Sequence, residues 1–296
     1  MKRLAFLFVV FILPFVMAGC GNLPFPNNSK LQTDSSQVQS STTDEPSQSS
    51  AIPSSDNAVS GDSAVQSRAS VSSVPIGDMS SQTQREILEQ TNAALNTEVL
   101  LMLPTSVPVK SGYYLTATTT SQAQDYKVNL YETAQPAQVN SQAALKGGLI
   151  ATVEGTEYKD AMNAKENISG YEQADTSNYG ELLNLGHNIK AVGDAGLGHQ
   201  YLIWNEGRWC LRVDSPTDPA YENKEYPDRE QLAKNVVAYL EDHMLPAPQE
   251  IGVITINIWN QSYGTTIRWQ HNQTVYQVSS QDPMTALKVA VAMKFI

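Results

Sequence analysis

The chain of 296 residues carries 30 acidic and 19 basic side chains, which gives it a formal net charge of −11. A chain this acidic repels phosphate backbones and anionic lipid head groups, so nucleic acid is a poor candidate partner. Hydrophobic residues make up 41% of the sequence. The chain is therefore long and apolar enough for one large domain or two small domains with an ordinary packed core.

The first twenty residues have the layout of an export signal. Lys2 and Arg3 precede an apolar run over residues 4–17, which is shorter than the ~20 residues that a membrane-spanning helix needs. Ala18 and Gly19 then stand directly before Cys20. The pattern predicts a signal peptide over residues 1–19 that is removed by cleavage, and a retained, uncleaved anchor is the alternative.

The sequence Met17-Ala18-Gly19-Cys20 resembles the lipobox of bacterial lipoproteins of the Gram-positive type, although Met17 replaces the commoner leucine. In that class the cysteine thiol receives a diacylglyceryl group, and a dedicated peptidase then cuts just before it. The resemblance implies that Cys20 is lipidated and that its acyl chains hold the protein in the lipid bilayer, outside the cytoplasm. Cys210 is the only other cysteine, so a lipidated Cys20 excludes an intramolecular disulfide.

Residues 20–80 have the composition of a disordered tether rich in Ser, Gln and Thr. The stretch 31–80 contains sixteen serines and no aromatic residue. Such a segment cannot bury enough apolar surface to offset its ordering entropy. As a flexible coil it spans roughly 40–45 Å, which suits a domain held at or beyond a cell wall, although it can equally be a passive spacer.

Residues 81–170 read as a first unit of mixed helix and strand. Thr83 and Glu86 have capping-box spacing, and an apolar stripe follows until Pro104 ends the predicted helix. The stripe consists of Leu88, Leu95, Val99 and Met102. Alternating residues then predict strands at 113–120, 126–131 and 149–153, and a short helix is expected over 157–168.

Residues 228–296 repeat this order. Asp228 and Gln231 again have capping-box spacing, strands are expected at 251–259, 265–270 and 274–278, and Asp282 and Pro283 open a last helix. The apolar stripe of the first helix is Leu232, Val236, Tyr239 and Leu240. The tripeptide Met-Leu-Pro also occurs twice, at 102–104 and 244–246. The sequence predicts an α+β fold of two similar α-β-β-β-α units with antiparallel sheets, with chance similarity of two amphipathic helices as the alternative.

Residues 171–227 are predicted to be an insert that joins the two units. The insert begins with a glycine-rich part, continues into a hairpin of strands 201–204 and 209–213, and ends in an acidic loop. The glycines are Gly180, Gly186, Gly193, Gly196 and Gly198. The stretch 195–240, and again 254–293, is similar to uncharacterised extracytoplasmic domains of lipoproteins and anti-sigma-like proteins of Gram-positive bacteria. That resemblance implies no catalytic residues.

Two groups of residues are candidates for a metal site or a catalytic site. His187, Asp194 and His199 carry groups that bind zinc, but their spacing brings no two of them to one side, so we expect solvent-facing loop residues. Cys210 has Arg208 and Arg212 two positions away on either side, which would favour a reactive thiolate with a nearby His as the base. A small structural residue on a strand is the interpretation we prefer for Cys210.

Two other patterns are interpreted as surface and core. The acidic residues Asp214, Asp218, Glu222, Glu225 and Asp228 lack the order of a calcium-binding loop, so a solvated loop is expected. Among the tryptophans, Trp209 and Trp269 are in phase with aliphatic neighbours, whereas Trp259 is out of phase and is the better surface candidate. Thr255, Asn257, Thr266, Arg268 and Gln277 are expected to form an open, polar sheet face that can dock a partner.

The sequence thus predicts a membrane-anchored extracytoplasmic lipoprotein that binds or senses something and is not an enzyme. No cofactor or metal is expected, and the partner is a cell-envelope protein or a small ligand. Two alternatives stay open. One is a soluble-ligand receptor with an apolar pocket between the two units, and the other is a Cys/His or metal-dependent hydrolase.

Overall fold

The computed structural model of the protein describes residues 76–177, 182–260 and 263–296. The predicted signal peptide, Cys20 and nearly all of the predicted tether lie outside the described residues, as does Gly180. No helix in the described ranges is both long and apolar enough to cross a membrane.

The described part of the chain contains four α-helices and twelve strands. The helices are α1 (Ile76–Ala93), α2 (Ala161–Glu166), α3 (Arg229–Asp242) and α4 (Pro283–Val291), with short 3₁₀ turns at Ala144–Lys146 and Pro219–Tyr221. The strands are β1 (Met102–Pro104), β2 (Tyr114–Gln122), β3 (Asp125–Thr133), β4 (Gly148–Glu157), β5 (Leu182–Gly186), β6 (Ile189–Gly196), β7 (His199–Glu206), β8 (Trp209–Pro216), β9 (Gly252–Ile258), β10 (Tyr263–His271), β11 (Thr274–Ser280) and β12 (Met293–Phe295).

Ten of these strands form one sheet in the order β2-β3-β4-β11-β10-β9-β8-β7-β6-β5. Neighbouring strands are antiparallel except for β8 and β9, which are parallel because α3 carries the chain back between them. The short strands β1 and β12 pair separately, with Met102 opposite Phe295. The chain therefore has the predicted α+β class, built on a sheet that is almost entirely antiparallel.

The main core lies on the face of the sheet that α1, α3 and α4 cover. Along β9 and β10 the residues predicted to point inward are all buried: Ile254, Ile256, Ile258, Ile267 and Trp269. Helix α3 begins after Asp228, whose side chain accepts hydrogen bonds from the backbone of Glu230 and Gln231, as the capping box predicted. A smaller cluster, including Ile168 and Val253, packs with α2 on the opposite face.

The predicted extent of the first helix is wrong. Helix α1 begins at Ile76, so Thr83 lies inside it and is not its N-cap. The helix ends at Ala93, ahead of Leu95, Val99 and Met102 of the predicted stripe. Met102 belongs to β1 and pairs with a strand almost 200 residues further along the chain, a partner that local periodicity cannot reveal.

The two predicted units do share an order of elements, but the structure does not establish them as copies of one fold. Both are joined into a single sheet through the pairing of β4 with β11. Helix α1 packs against β2, whereas α3 packs against β5, β7 and β8 of the insert. The two Met-Leu-Pro segments also differ, because Met102 is 4% exposed and Met244 is 86% exposed.

The glycine-rich insert forms two strands, β5 and β6, that the sequence did not predict. They are joined by a turn in which His187 and Asn188 both have positive φ, 50° and 63°, as two-residue hairpin turns require. Gly193 and Gly196 lie within β6 and carry no side chain. Glycines interrupt the alternation of apolar and polar residues by which strands are recognised. The local sequence therefore did not predict that β6 pairs with β7.

Candidate functional site: an aromatic row on the open sheet face

The site lies on the face of β7, β8 and β9 that points away from α3. His199 and Tyr201 on β7 and Arg212 and Asp214 on β8 alternate with buried residues of the core, and Trp259 directly follows β9. In the sheet register Tyr201 is opposite Asp214, and Asp214 is opposite Asn257. Residues opposite each other share a face and lie about 5 Å apart, so these side chains meet.

The carboxylate of Asp214 holds two rings in place. Its Oδ1 accepts a hydrogen bond from Nδ1 of His199 at 2.8 Å and another from Nε1 of Trp259 at 3.2 Å. Because a carboxylate only accepts, His199 carries a proton on Nδ1. The Asp214 side chain is only 14% exposed. A mostly buried carboxylate with two donors orients both rings.

Four rings and one guanidinium then form a continuous row, which we call the aromatic row. The ring of Trp259 lies 6.2 Å from that of Tyr221 and 4.6 Å from that of His199. His199 stacks on Tyr201 at 5.6 Å with an angle of 12° between the ring planes. The guanidinium of Arg212 lies 4.7 Å from the centre of the Tyr201 ring, a cation–π contact.

Arg212 is held from a second direction as well. Its Nη2 donates to Oε1 of Glu172 at 2.6 Å, and its buried Nε has no hydrogen-bond partner among the described residues. Burial, with the neighbouring Asp214 adding to it, raises the pKa of Tyr201, so its hydroxyl stays neutral over the physiological range. The aromatic row is therefore tied together by hydrogen bonds, an ion pair and ring contacts, and it presents hydrogen-bonding groups on this face of the sheet.

The His199–Asp214 pair alone does not complete a catalytic triad. An imidazole oriented by a carboxylate is suited to general-base chemistry if a nucleophile lies next to its second nitrogen. In the described ranges, no hydroxyl or thiol is hydrogen-bonded to Nε2 of His199. Ser215 is next to Asp214 in sequence, but its side chain points to the core face and donates to the carbonyl of Gln200.

Cys210 lies far from any histidine on this face. In the register of β7 and β8, His199 is opposite Pro216, six residues from Cys210, which corresponds to about 20 Å along the strand. The thiol is fully buried and donates to the carbonyl of Gly170, and burial raises its pKa. The flanking by two guanidiniums that the reactive-thiolate alternative requires is absent, because Arg208 lies in the hairpin turn and donates to the carbonyl of Gln249.

The three residues considered for zinc have different partners. His187 lies in the β5–β6 turn, 3.5 Å from Glu241. Asp194 accepts from the next backbone N–H, that of Ala195, and His199 binds Asp214. Within the described residues, no three His, Cys, Asp or Glu side chains are grouped as metal ligands.

The acidic stretch over residues 214–228 is only partly the solvated loop that the sequence predicts, because its first residue, Asp214, lies within β8. Asp218 caps the 3₁₀ turn and Asp228 caps α3, so these carboxylates bind backbone N–H groups. Asp214 is the centre of the aromatic row. The two caps can be predicted from the local sequence at the start of each helix. The role of Asp214 cannot, because its partners come from β7 and from the end of β9.

Trp209, Trp269 and Trp259 lie where the sequence predicts them, and Trp204, for which no position was predicted, joins the core. Trp204, Trp209 and Trp269 are buried in the core, and Trp259 is half-buried on the open face. Sequence reasoning missed Tyr201 and Tyr221. The predicted hairpin did contain the missing signal: extending its pairing outward from the turn places Tyr201 opposite Asp214 and brings His199 to the same face.

No protein-family model matches the chain, and no curated protein or solved structure matches it either. The functional interpretation therefore depends on the residues and geometry described above.

Proposed function

We propose that this protein is a lipid-anchored extracytoplasmic lipoprotein whose folded body is a non-enzymatic binding module. The lipobox-like segment ending at Cys20 supports the anchor and the location. The aromatic row supports the binding role, because Trp, Tyr and Arg side chains are the residue types that dominate binding energy at protein interfaces. The row is the surface that docks a protein partner of the cell envelope.

The single observation that carries this proposal is the network of contacts that holds the row in place. Trp259 and His199 are fixed by Asp214, and Arg212 is fixed by Glu172 and Tyr201. Side chains that are already ordered lose little conformational entropy when a partner binds, which increases affinity for a given contact area. If this sheet face only contacted water, nothing would require its aromatic side chains to be held in place by hydrogen bonds and ion pairs.

The experiment is capture of envelope proteins by the tagged mature protein and by three variants. Trp259→Ala and Tyr201→Ala each remove one ring of the row and are expected to abolish capture of a specific partner. Tyr131→Ala is the matched control, because Tyr131 is a half-buried tyrosine on β3, five strands away from β8. Circular dichroism confirms folding of each variant. Capture that all three variants retain equally would contradict the proposal.

A soluble-ligand receptor is the second candidate. Two pockets lie where β4 of the first unit meets the strands of the second: one of about 330 Å³ that includes Thr152, Asn257 and Ser279, and one of about 230 Å³ that includes Glu154 and Arg268. Their linings are largely polar, whereas a pocket for an apolar ligand was expected. This observation favours small polar ligands over apolar ones for such a receptor.

A hydrolase is the least supported candidate, since Cys210 is buried and distant from His199 along the sheet. The duplication also belongs among the proposals. It is supported by the shared order of helix, three antiparallel strands and helix, and by the junction of β4 with β11 between the two meanders. Superposition of Leu88 on Leu232 and of Leu115 on Ile256 is the expected result if the units share an ancestor.

A further inference from the structure

A separate pocket lies on the helix-covered side of the sheet, on the opposite face from the aromatic row. Its volume is about 310 Å³, and it lies between the β7–β8 turn and the chain that leaves the end of α3. Its walls are mostly apolar and include Trp209, Leu211, Leu240, Leu245 and Pro248. This size and lining are typical of sites for small organic molecules. We call it the hairpin pocket.

Three side chains with ionisable groups line the hairpin pocket, and each of them has one hydrogen-bond partner. Nη1 of Arg208 donates to the carbonyl of Gln249 at 2.6 Å, and Nδ1 of His243 bonds to the carbonyl of Tyr239 at 2.9 Å. The third is Glu206, which accepts a hydrogen bond from Nε1 of the buried Trp204 at 2.8 Å. Its second carboxylate oxygen has no hydrogen bond or ion pair within the described part of the chain.

Within the described residues Glu206 forms no ion pair, and Arg208, which lines the same pocket, donates to the carbonyl of Gln249 instead. Burial is the main cause that raises the pKa of Glu206, and the negative charge of Glu241 raises it further. A partly buried carboxylate is stabilised by cationic or hydrogen-bond-donating partners, and the described residues supply Glu206 with one donor, Nε1 of Trp204, and no cation. The chain as a whole is also acidic, with a formal net charge of −11, which attracts cations to its surface in general.

We propose that the hairpin pocket binds a small organic cation, an apolar body that carries one ammonium group. The ammonium group pairs with the free oxygen of Glu206, and the apolar body lies against Trp209, Leu211 and Leu245. This site is independent of the aromatic row and goes beyond the proposed docking function. It gives the module a second ligand, of defined chemistry, on the other side of the sheet.

The test is isothermal titration of the mature protein with 2-phenylethylamine and with 2-phenylethanol, which has the same ring and chain but no charge. The amine is expected to bind about tenfold more tightly than the alcohol or better. Glu206→Gln keeps an acceptor for Trp204 and is expected to remove this preference while weak alcohol binding stays. Ala247→Phe, which places a ring at the pocket wall, is expected to weaken both ligands.

Two further variants serve as controls. Glu98→Gln removes one negative charge from an exposed position elsewhere, so it reveals any effect of net charge alone. Trp259→Ala disrupts the aromatic row and is expected to leave amine binding unchanged, which separates this proposal from the docking function. The proposal is overturned if neither compound binds, if amine and alcohol bind equally, or if Glu206→Gln or Ala247→Phe leaves amine affinity unchanged.

Discussion

Two buried tyrosines tie the sheet to the segment that follows α1. The hydroxyl of Tyr126 on β3 donates to the carbonyl of Met102 at 2.8 Å, and that of Tyr276 on β11 donates to the carbonyl of Leu100 at 2.7 Å. The ring of Tyr126 fits because residue 155, opposite it on β4, is glycine; a Cβ there would lie 2.2 Å from the ring. Each hydroxyl satisfies a backbone carbonyl outside the main sheet.

Burial raises the pKa of Tyr276 to about 12, and this shift predicts loss of stability at high pH. An unfolded tyrosine ionises near pH 10, so its contribution to stability is complete below about pH 10. It is lost as the pH rises through about 12, because the unfolded chain then releases a proton that the folded chain retains. The free energy of unfolding in urea should fall over this interval.

Tyr276→Phe should reduce the slope of that fall, because one of the linked protons is removed. Ile254→Val is the matched control: it shortens a fully buried core side chain but titrates no group, so it should lower stability by about the same amount at every pH. An unchanged slope in Tyr276→Phe would show that Tyr276 does not contribute to alkaline unfolding.

At the scale of elements, the chain order of the strands and their hairpin partners are partly readable from the sequence, and their long-range partners are not. Period-two alternation predicted β3, β9 and the β7–β8 hairpin, since one face of each is buried and the other is polar. The end of α1 and the identity of β1 were missed because β1 is defined by its pairing with β12. Strand β6 was missed because its glycines remove the alternation that marks a strand.

The two Met-Leu-Pro segments give a direct test at this scale. Leu103 is 1% exposed within β1, while Leu245 is half-buried at the wall of the hairpin pocket. Leu103→Ala should therefore destabilise the protein by about 2–5 kcal/mol, and Leu245→Ala should cost clearly less because less apolar surface is lost. Urea denaturation measures both. Equal costs would contradict this prediction and would indicate that the two segments have equivalent structural roles.

At the scale of the whole molecule, the sequence predicted the class of fold but not that the strands form one continuous sheet. Two three-stranded meanders were expected as separate units, yet β4 pairs with β11 and the insert adds four more strands beyond β9. Pairing between strands more than a hundred residues apart leaves no trace in local patterns. The aromatic row depends on this arrangement, because His199, Asp214 and Trp259 come from three neighbouring strands or their ends.

The predicted lipid anchor also concerns the whole molecule, because it would determine the location of the folded domain in the cell. If Cys20 carries two acyl chains, the protein is held stably in the membrane, whereas a single chain gives only marginal binding. Cys20→Ser should therefore release the protein from the membrane or leave it as an unprocessed precursor. Cys210→Ser is the matched control, since that thiol is buried and makes one weak contact, so membrane association should not change. Fractionation with immunoblotting measures both, and a processed Cys20→Ser protein that remains with the membrane would rule out lipid anchoring at this residue.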